Sequence, residues 1–278
     1  MIGQNSLRNK VDTMIMNGKF PRFTILVGLP GSGRKTMAQY IADSLHAGMM
    51  KYSCGVDDMR AMIGYAHKIP STYVFLISDA DNMSPAAKNC ILKVVEEPPQ
   101  DAHFIMTVSD IDSVLDTIKS RGTVLNMDKY TQDEITQFIQ SLPDDVSVSC
   151  EDVDILKNTC EVPGDVLRMI EYNPSEFMGY VEKVADNLEE VSVANMFKIS
   201  GKIKLKETQE GYDVRLFWRM FVDICLVRMR KNSLMYGNWI KVTIKKLRSL
   251  QITGVNKSML FDSWLTEIKE IVYGNDNS

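Results

Sequence analysis

The residues with the clearest chemical signature form a glycine-rich loop near the start of the chain. Gly28, Gly31 and Gly33 lie between a short apolar run, residues 23–27, and a stretch whose apolar residues recur at helical spacing. In such a loop, backbone N–H groups point towards one place, and the N-terminus of the following helix favours an anion there. A plain tight turn is the alternative, but strand and helix flank the loop correctly for phosphate. The predicted phosphate-binding residues are Gly28, Pro30, Gly31, Ser32, Gly33, Arg34, Lys35 and Thr36.

The residues after the last glycine depart from the usual order. That order is a lysine for the β- and γ-phosphates, followed by a serine or threonine for Mg²⁺. Here Arg34 holds the lysine position and Lys35 the metal-ligand position, with Thr36 displaced by one residue. Because an ammonium group cannot coordinate Mg²⁺, either Thr36 substitutes through a local shift or the metal site is weak. We therefore expect this site to do no more than bind ATP with Mg²⁺, and the residues do not predict efficient hydrolysis.

Acidic residues follow a second apolar run, residues 73–77. Asp79 comes two residues after this run. Ser84 then provides an N-cap with Pro85 at the first helical position, which predicts a helix over residues 85–96.

Apolar strands alternate with amphipathic helices through the first half of the chain. Further apolar runs occupy residues 103–108 and 122–127. This alternation predicts an α/β fold with a parallel sheet covered on both faces. After about residue 128 the strand signals fade, and Thr131 with Glu134 forms a capping box that begins a helical region.

Composition is that of a globular protein, with 45% hydrophobic and 24% charged residues among 278. No apolar stretch reaches the roughly 18 residues of a membrane span, so we expect a cytoplasmic protein with no membrane partner. The five cysteines are scattered without a CxxC pair, which predicts reduced, mostly buried thiols and no zinc. Residues 198–248 hold 13 Lys and Arg against four acids, so the C-terminal third is basic and the front acidic.

Taken together, these segments resemble the clamp-loader branch of the AAA+ proteins. The most specific part is residues 79–99, an acidic-alanine-aspartate strand end followed by a helix that closes in Leu-Lys-x-x-Glu-Glu-Pro-Pro. Residues 104–109 resemble the sensor-1 strand, and residues 120–122 resemble the Ser-Arg-Cys motif with glycine replacing cysteine. Residues 2–4 resemble the family's start, where Ile2 would help to form the adenine pocket, and residues 56–60 resemble the approach to the second core helix.

The resemblance implies an architecture and a set of partners. The expected domains are an AAA+ nucleotide-binding core with a P-loop at residues 1–127, a helical lid at 128–172 and an all-α collar for oligomerisation at 173–278. The implied partners are other clamp-loader subunits in a hetero-oligomer, taken as pentameric, together with the sliding clamp and primed DNA.

Residue by residue, the positions that perform hydrolysis in active members are altered. The strand that ends in Asp-Glu in those members ends here in Ser78 and Asp79, and Asp79 is one methylene shorter than the catalytic glutamate. Sensor 1 is Ser109, and the lid arginine is replaced by Leu167, with Arg168 one place along. The resemblance therefore implies weak or absent hydrolysis at this chain's own site.

Arg121 is the exception, since it matches the arginine that reaches into a neighbouring subunit's site as an arginine finger. Retaining Arg121 while losing the other catalytic positions is the pattern of delta-prime-type subunits. The alternative for Arg121 is a solvent-facing arginine that caps a helix C-terminus.

Two other functions stay open from the sequence. In the first, the chain is an active ATPase subunit, with Lys35 and Thr36 serving the phosphates and Asp79 the metal. In the second, it is a stand-alone nucleic-acid-binding or regulatory module in which Trp218, Tyr236 and Trp239 stack on bases. Against the second, those aromatic residues alternate with apolar ones at helical spacing, which favours a core position.

Overall fold

The computed structural model describes residues 1–143, 145–190, 213–250 and 255–275. Its contacts divide the chain into two compact units. The first comprises Met1–Glu134 and Val162–Gly164, and the second comprises Ile135–Glu161 with the residues from Asp165 onwards. The three-part division at residues 127 and 172 stays a prediction.

The first unit contains a five-stranded parallel sheet, as the sequence predicts. Its strands, in the order β2-β3-β4-β1-β5, are β1 Phe23–Val27, β2 Gly48–Tyr52, β3 Tyr73–Ile77, β4 Ala102–Val108 and β5 Thr123–Asn126. Its helices are α1 Asn5–Met16, α2 Arg34–Ser44, α3 Val56–Ala66, α4 Pro85–Glu96 and α5 Asp116–Lys119, with 3₁₀ turns at Ala80–Asn82 and Ile111–Ser113.

Alternate residues of the central strands feed two hydrophobic cores, one on each face of the sheet. Phe75 and Phe104 stack with ring centroids 5.2 Å apart on the face covered by α3 and α4. Leu76 and Ile105, their neighbours in sequence, point the other way and pack with residues of α1 and α2. This two-sided burial explains why the strands read as continuous apolar runs.

Local signals set several boundaries. The Ala87 N–H donates to the Ser84 hydroxyl at 3.2 Å, which confirms the predicted N-cap of α4. Strand β2 was missed, because it lies at the sheet edge and has the mixed composition Gly-Met-Met-Lys-Tyr with no fully buried residue.

The second unit is helical in its described part. The helices that follow along the chain are α6 Gln132–Gln140, α7 Cys150–Thr159, α8 Pro163–Glu171, α9 Pro174–Glu190, α10 Val214–Arg228, α11 Ser233–Ser249 and α12 Lys257–Asn275. The capping box at the start of α6 is confirmed, since the Thr131 N–H donates to Glu134 at 2.9 Å and the Glu134 N–H to Thr131 at 3.2 Å.

Aromatic side chains form the core of α10, α11 and α12. Trp218 and Trp239 are completely buried and Tyr236 nearly so. Phe221 contacts Trp239 with ring centroids 5.8 Å apart and Trp264 at 5.0 Å. These aromatic rings are therefore unavailable for stacking on bases, and the idea of a base-stacking surface there is wrong.

The cysteines are more exposed than expected. Cys160 and Cys225 are buried, Cys54 and Cys90 are half-buried, and Cys150 is exposed; none of the five forms a disulfide. Across the described residues, no helix combines the length and apolar character needed to cross a bilayer.

Candidate nucleotide site

The predicted site residues converge at the carboxyl ends of three adjacent strands. The glycine-rich loop follows β1, Asp79 follows β3 and Ser109 follows β4, and β4 lies between the other two strands. In open α/β sheets, ligands bind outside this edge of the sheet. The fold therefore brings together Arg34, Asp79 and Ser109, which are far apart in sequence.

The loop has the backbone geometry that its glycines allow. Gly31 and Gly33 adopt φ values of +84° and +88°, a left-handed region that disfavours other residues. At Gly28, an added Cβ atom would lie 2.6 Å from Met127 Cγ and 2.8 Å from the Ser32 hydroxyl. The buried Ser32 hydroxyl has no hydrogen-bond partner within the protein.

The backbone of Gly164 lies directly against the loop. Its N–H donates to the Gly31 carbonyl at 3.0 Å. A Cβ atom on Gly31 would lie 2.7 Å from the Gly164 Cα atom, so neither glycine has room for a side chain. The Pro163-Gly164 break in the sequence thus corresponds to a tight backbone contact with the phosphate loop.

Both cations after the loop are bound to Asp79. Arg34 Nη2 lies 3.0 Å from one carboxylate oxygen of Asp79, and Lys35 Nζ lies 3.0 Å from the other. Arg34 Nη1 also donates to the Ser109 hydroxyl at 3.3 Å and lies 4.0 Å from Asp81. Only 7% of the Arg34 side chain is exposed. This burial lowers the pKa of the guanidinium, while Asp79 and Asp81 oppose the shift.

The backbone of Asp79 is held in an unusual conformation. Its φ and ψ are +54° and +48°, which a residue other than glycine adopts at a cost of roughly 1–2 kcal/mol. Its N–H donates to the Thr107 hydroxyl at 2.9 Å. The Cys54 thiol donates to the carbonyls of Ser78 at 2.9 Å and Asp79 at 3.2 Å, and burial, followed by nearby carboxylates, raises the pKa of this thiol.

Asp81 and Thr107 are structurally important residues that the sequence reasoning missed. Asp81 accepts from the N–H of Ser109 at 2.8 Å, from the N–H of Asp110 at 3.1 Å and from the Ser113 hydroxyl at 3.0 Å. It thus fixes the sensor-1 position from the end of β3. Two features pointed to this pair: the alternation Asp-Ala-Asp after β3, and Thr107 as a polar residue two places before Ser109 in an apolar strand.

Tyr130 links the loop to the start of the chain and was also missed. Its hydroxyl donates to the Ser32 carbonyl at 3.0 Å, and its ring carbon Cε1 lies 2.9 Å from where a Cβ atom of Gly3 would be. Burial raises its pKa. The side-chain amide of Gln4 exchanges two hydrogen bonds with the Asp128 backbone, at 2.8 and 2.7 Å. Ile2, the predicted adenine-pocket residue, is half-buried and lies two positions before Gln4 in the sequence.

Arg121 lies away from this cluster of contacts and is paired with a different acid. Its Nη2 atom lies 2.8 Å from Glu96 Oε1, and its Nη1 atom donates to the Thr117 carbonyl at 2.6 Å. The second contact caps the short helix α5, so the geometry fits the capping alternative as well. The arginine-finger role stays a prediction.

Gly122 explains the departure from the Ser-Arg-Cys motif. A Cβ atom there would lie 2.8 Å from two ring carbons of Phe23 and 3.0 Å from Ile25 Cδ1. The core side chains fill the space that the usual cysteine would need.

In the second unit, the residues at the lid-arginine position have other surroundings. Leu167 is exposed, and Arg168 forms an ion pair with Asp213, the N-cap of α10.

Comparison with known proteins agrees with this geometry. Residues 49–131 match the family model described as DNA polymerase III, delta subunit. The DNA polymerase III subunit gamma of Buchnera aphidicola is 24% identical over 173 residues, covering 51% of this chain and 48% of that protein. Replication factor C subunit 4 of Encephalitozoon cuniculi is 23% identical, covering 51% and 49%. Subunit gamma/tau of Mycobacterium tuberculosis is 41% identical over 70 residues, covering 24% and 12%.

These similarities support the AAA+ clamp-loader family for this chain. The chain spans about half the length of the curated relatives matched over the longer stretches.

Solved structures share the fold of this chain. A DNA polymerase III gamma subunit-related protein of Thermotoga maritima superposes with a TM-score of 0.54 at 15% identity, covering 96% of this chain and 99% of that one. The RuvB Holliday junction branch migration motor of the same organism gives a TM-score of 0.51 at 18% identity, covering 82% and 76%. At these identities the likeness concerns the fold alone.

The residues of this chain fit a nucleotide only in part. The left-handed glycines and the unpartnered Ser32 hydroxyl suit a phosphate. Mg²⁺ fits poorly, because both oxygens of Asp79, its predicted ligand, face cations, and Thr36 is exposed. In the described part of the chain, no three His, Cys, Asp or Glu residues cluster as a metal site would require.

Proposed function

We propose that this chain is a clamp-loader subunit of DNA replication that hydrolyses ATP poorly at its own site and donates Arg121 to a neighbour's site. Its proposed partners are other loader subunits in a hetero-pentamer, the sliding clamp and primed DNA. Family membership supports the first part of this proposal, and the charge arrangement around Asp79 supports the second.

The pairing of Asp79 with both Arg34 and Lys35 is the observation that carries the proposal. A carboxylate that activates water must present an oxygen to it, and each oxygen of Asp79 is engaged by a cation at 3.0 Å. The same contacts engage the cations of Arg34 and Lys35, which would otherwise be available to bind phosphate oxygens. The acid and the cations of this site therefore neutralise each other instead of acting on a substrate.

Arg121 is the group of this chain that we propose acts in ATP chemistry. Its guanidinium would stabilise negative charge on the phosphoryl group transferred at the neighbour's site, a contribution worth roughly 10³–10⁵ in rate in related NTPases. In the loading cycle, subunits would form an arc that opens the ring-shaped clamp around primed DNA, and hydrolysis between subunits would release both. This chain would be a relatively fixed end member of the arc.

Steady-state ATP turnover tests the proposal. The purified chain is assayed alone and then with clamp and primed DNA, in parallel with an Asp79→Ala variant. We expect turnover at background level for both proteins. DNA-stimulated turnover that disappears in the variant would overturn the proposal, because it would assign a catalytic role to Asp79.

An active ATPase subunit is the second candidate, and the names of the relatives favour it. The Buchnera and Mycobacterium proteins are described as gamma and gamma/tau subunits. In that case Lys35 and Thr36 would serve the phosphates after a shift of one residue, and Asp79 would hold the metal. A Thr36→Ala variant separates the two candidates, since it abolishes turnover only if Thr36 is a metal ligand.

A further inference from the structure

The contacts of Arg121 point to a second residue that acts with it. We propose that Glu96 is a positioning residue, which orients the Arg121 guanidinium for the neighbouring subunit's nucleotide. This inference rests on the proposed arginine-finger function of Arg121.

Contacts on both terminal nitrogens fix the plane of the Arg121 guanidinium. Glu96 Oε1 lies 2.8 Å from Nη2, and the Thr117 carbonyl lies 2.6 Å from Nη1. Nη1 also donates to the Ser120 hydroxyl at 3.4 Å. A guanidinium is planar and carries five N–H donors, so these contacts on both terminal nitrogens fix its orientation and leave two donors free. A guanidinium held in this way binds an anion with a smaller loss of side-chain conformational entropy than a freely rotating arginine would.

Glu96 occupies a place where a carboxylate is otherwise unfavourable. It is the last residue of α4, and the C-terminal end of a helix disfavours negative charge. Arg121 offsets this cost as its cation. Glu97 follows directly with the same charge and is also exposed, but among the described ion pairs it has no cation. The pairing of Glu96 is therefore specific to its position.

The core beneath the pair holds the two residues at a fixed separation. Val94 and Val95 of α4 and Ile118 of α5 belong to the same buried cluster under the sheet. Close packing of these side chains resists a shift of the C-terminal end of α4 relative to α5. The pair itself is half-exposed, at 37% for Arg121 and 46% for Glu96. The geometry is thus set by the core, while the charged atoms stay accessible to a partner.

The test measures ATP turnover of the loader assembled from this chain and its cognate subunits, with clamp and primed DNA. The variants are Glu96→Ala, Glu96→Gln, the matched control Glu97→Ala, Arg121→Ala and the double variant Glu96→Ala with Arg121→Ala. Circular dichroism and size-exclusion chromatography verify folding and assembly of each.

We expect Glu96→Ala to lower kcat roughly two- to fivefold, the range that an exposed ion pair can supply, with KM for ATP unchanged. Glu96→Gln should recover most of the loss, because its amide oxygen still accepts from Nη2. Glu97→Ala should match the unaltered loader. In the Arg121→Ala background, Glu96→Ala should have no further effect.

Two failures are distinguishable. If Arg121→Ala lowers turnover but Glu96→Ala equals Glu97→Ala, the positioning role is overturned and the proposed function stands. If Arg121→Ala itself leaves turnover unchanged, the arginine-finger function fails and the role of Glu96 fails with it.

Discussion

Arg34 and Arg121 lie in the same unit, and each forms an ion pair with a carboxylate, but in very different surroundings. The side chain of Arg34 is 7% exposed and has contacts with Asp79, Asp81 and Ser109. That of Arg121 is 37% exposed and contacts Glu96, one carbonyl and the Ser120 hydroxyl. The first arginine follows the glycine-rich loop, where we propose that a phosphate binds, and the second is the proposed arginine finger.

The difference in burial decides which pair can exchange its partner. Breaking a buried ion pair by removing one partner costs roughly 3–5 kcal/mol, whereas exposed pairs contribute roughly 0.2–1 kcal/mol. A nucleotide would therefore have to compete with Asp79 for Arg34 at considerable cost. The same competition at Arg121 costs little, because its guanidinium is already partly in contact with solvent. The contrast favours chemistry in trans over chemistry in cis.

The largest expected effect comes from removing the exposed arginine. Arg121→Ala should reduce turnover at the neighbouring site on the order of 10³-fold, so that total ATPase of the assembled loader loses that site's contribution. Assembly, measured by size-exclusion chromatography with light scattering, should be unchanged, because the pair with Glu96 is exposed. Lys119→Ala is the matched control, a nearby cation that pairs with Asp112 and Asp116.

The charge-preserving variant sharpens this prediction. Arg121→Lys keeps the charge but loses the planar fork, so it should restore only a small part of the rate. Full activity in Arg121→Ala would remove the contrast and favour the helix-capping role.

For the free energy of unfolding, the order is reversed: replacing Arg34 should have the larger effect and replacing Arg121 the smaller one. Arg34→Met should lower the free energy of unfolding by about 2 kcal/mol, because it leaves the partly buried Asp81 and Ser109 without their cation. Arg121→Met should change it by less than about 1 kcal/mol. Urea unfolding followed by circular dichroism measures both. Equal losses would contradict the claim that burial separates these pairs.

Removing the negative charge of Asp79, the acid that pairs with the buried Arg34, should increase affinity for ATP. Asp79→Asn keeps the shape of the side chain but frees Arg34 and Lys35 from a negative charge. We expect ATP or inorganic phosphate to bind about tenfold more tightly, which corresponds to about 1.4 kcal/mol. Isothermal titration calorimetry measures this change, with Asp112→Asn as the control at an exposed aspartate. Weaker binding in Asp79→Asn would instead support the active-ATPase candidate.

Much of the fold was predictable because its strands are buried on both faces. The runs that form β1 and β3 are apolar throughout, so their boundaries were predicted correctly. Strand β2 was not found, because its single-sided, partly exposed edge position allows methionine and Lys51. Helix α4 was predicted over its full length, since Ser84 and Pro85 mark its start and the prolines after it mark its end.

The site was predictable in its membership but not in its pairing. Residues directly after parallel strands meet at one edge, so Asp79 and Ser109 could be placed near the loop from sequence alone. That Asp79 takes up the charges of Arg34 and Lys35 depends on side-chain directions in three dimensions. The contact of Tyr130 with the Ser32 carbonyl joins residues 98 positions apart and left no local signal.

The smallest effect tests the backbone of the loop against an open site with similar dihedral angles. Gly31 and Gly18 both have positive φ, at 84° and 63°, but a Cβ atom on Gly31 would meet Gly164 at 2.7 Å, whereas Gly18 has open space. Both Gly→Ala changes incur the left-handed penalty of roughly 1–2 kcal/mol. Gly31→Ala should lose about 1 kcal/mol more in urea unfolding, because the Gly164 backbone must also shift. Equal losses would mean that the loop backbone shifts to accommodate a side chain at Gly31. The contrast between the surroundings of Arg34 and Arg121 would then rest on the burial of their charges alone.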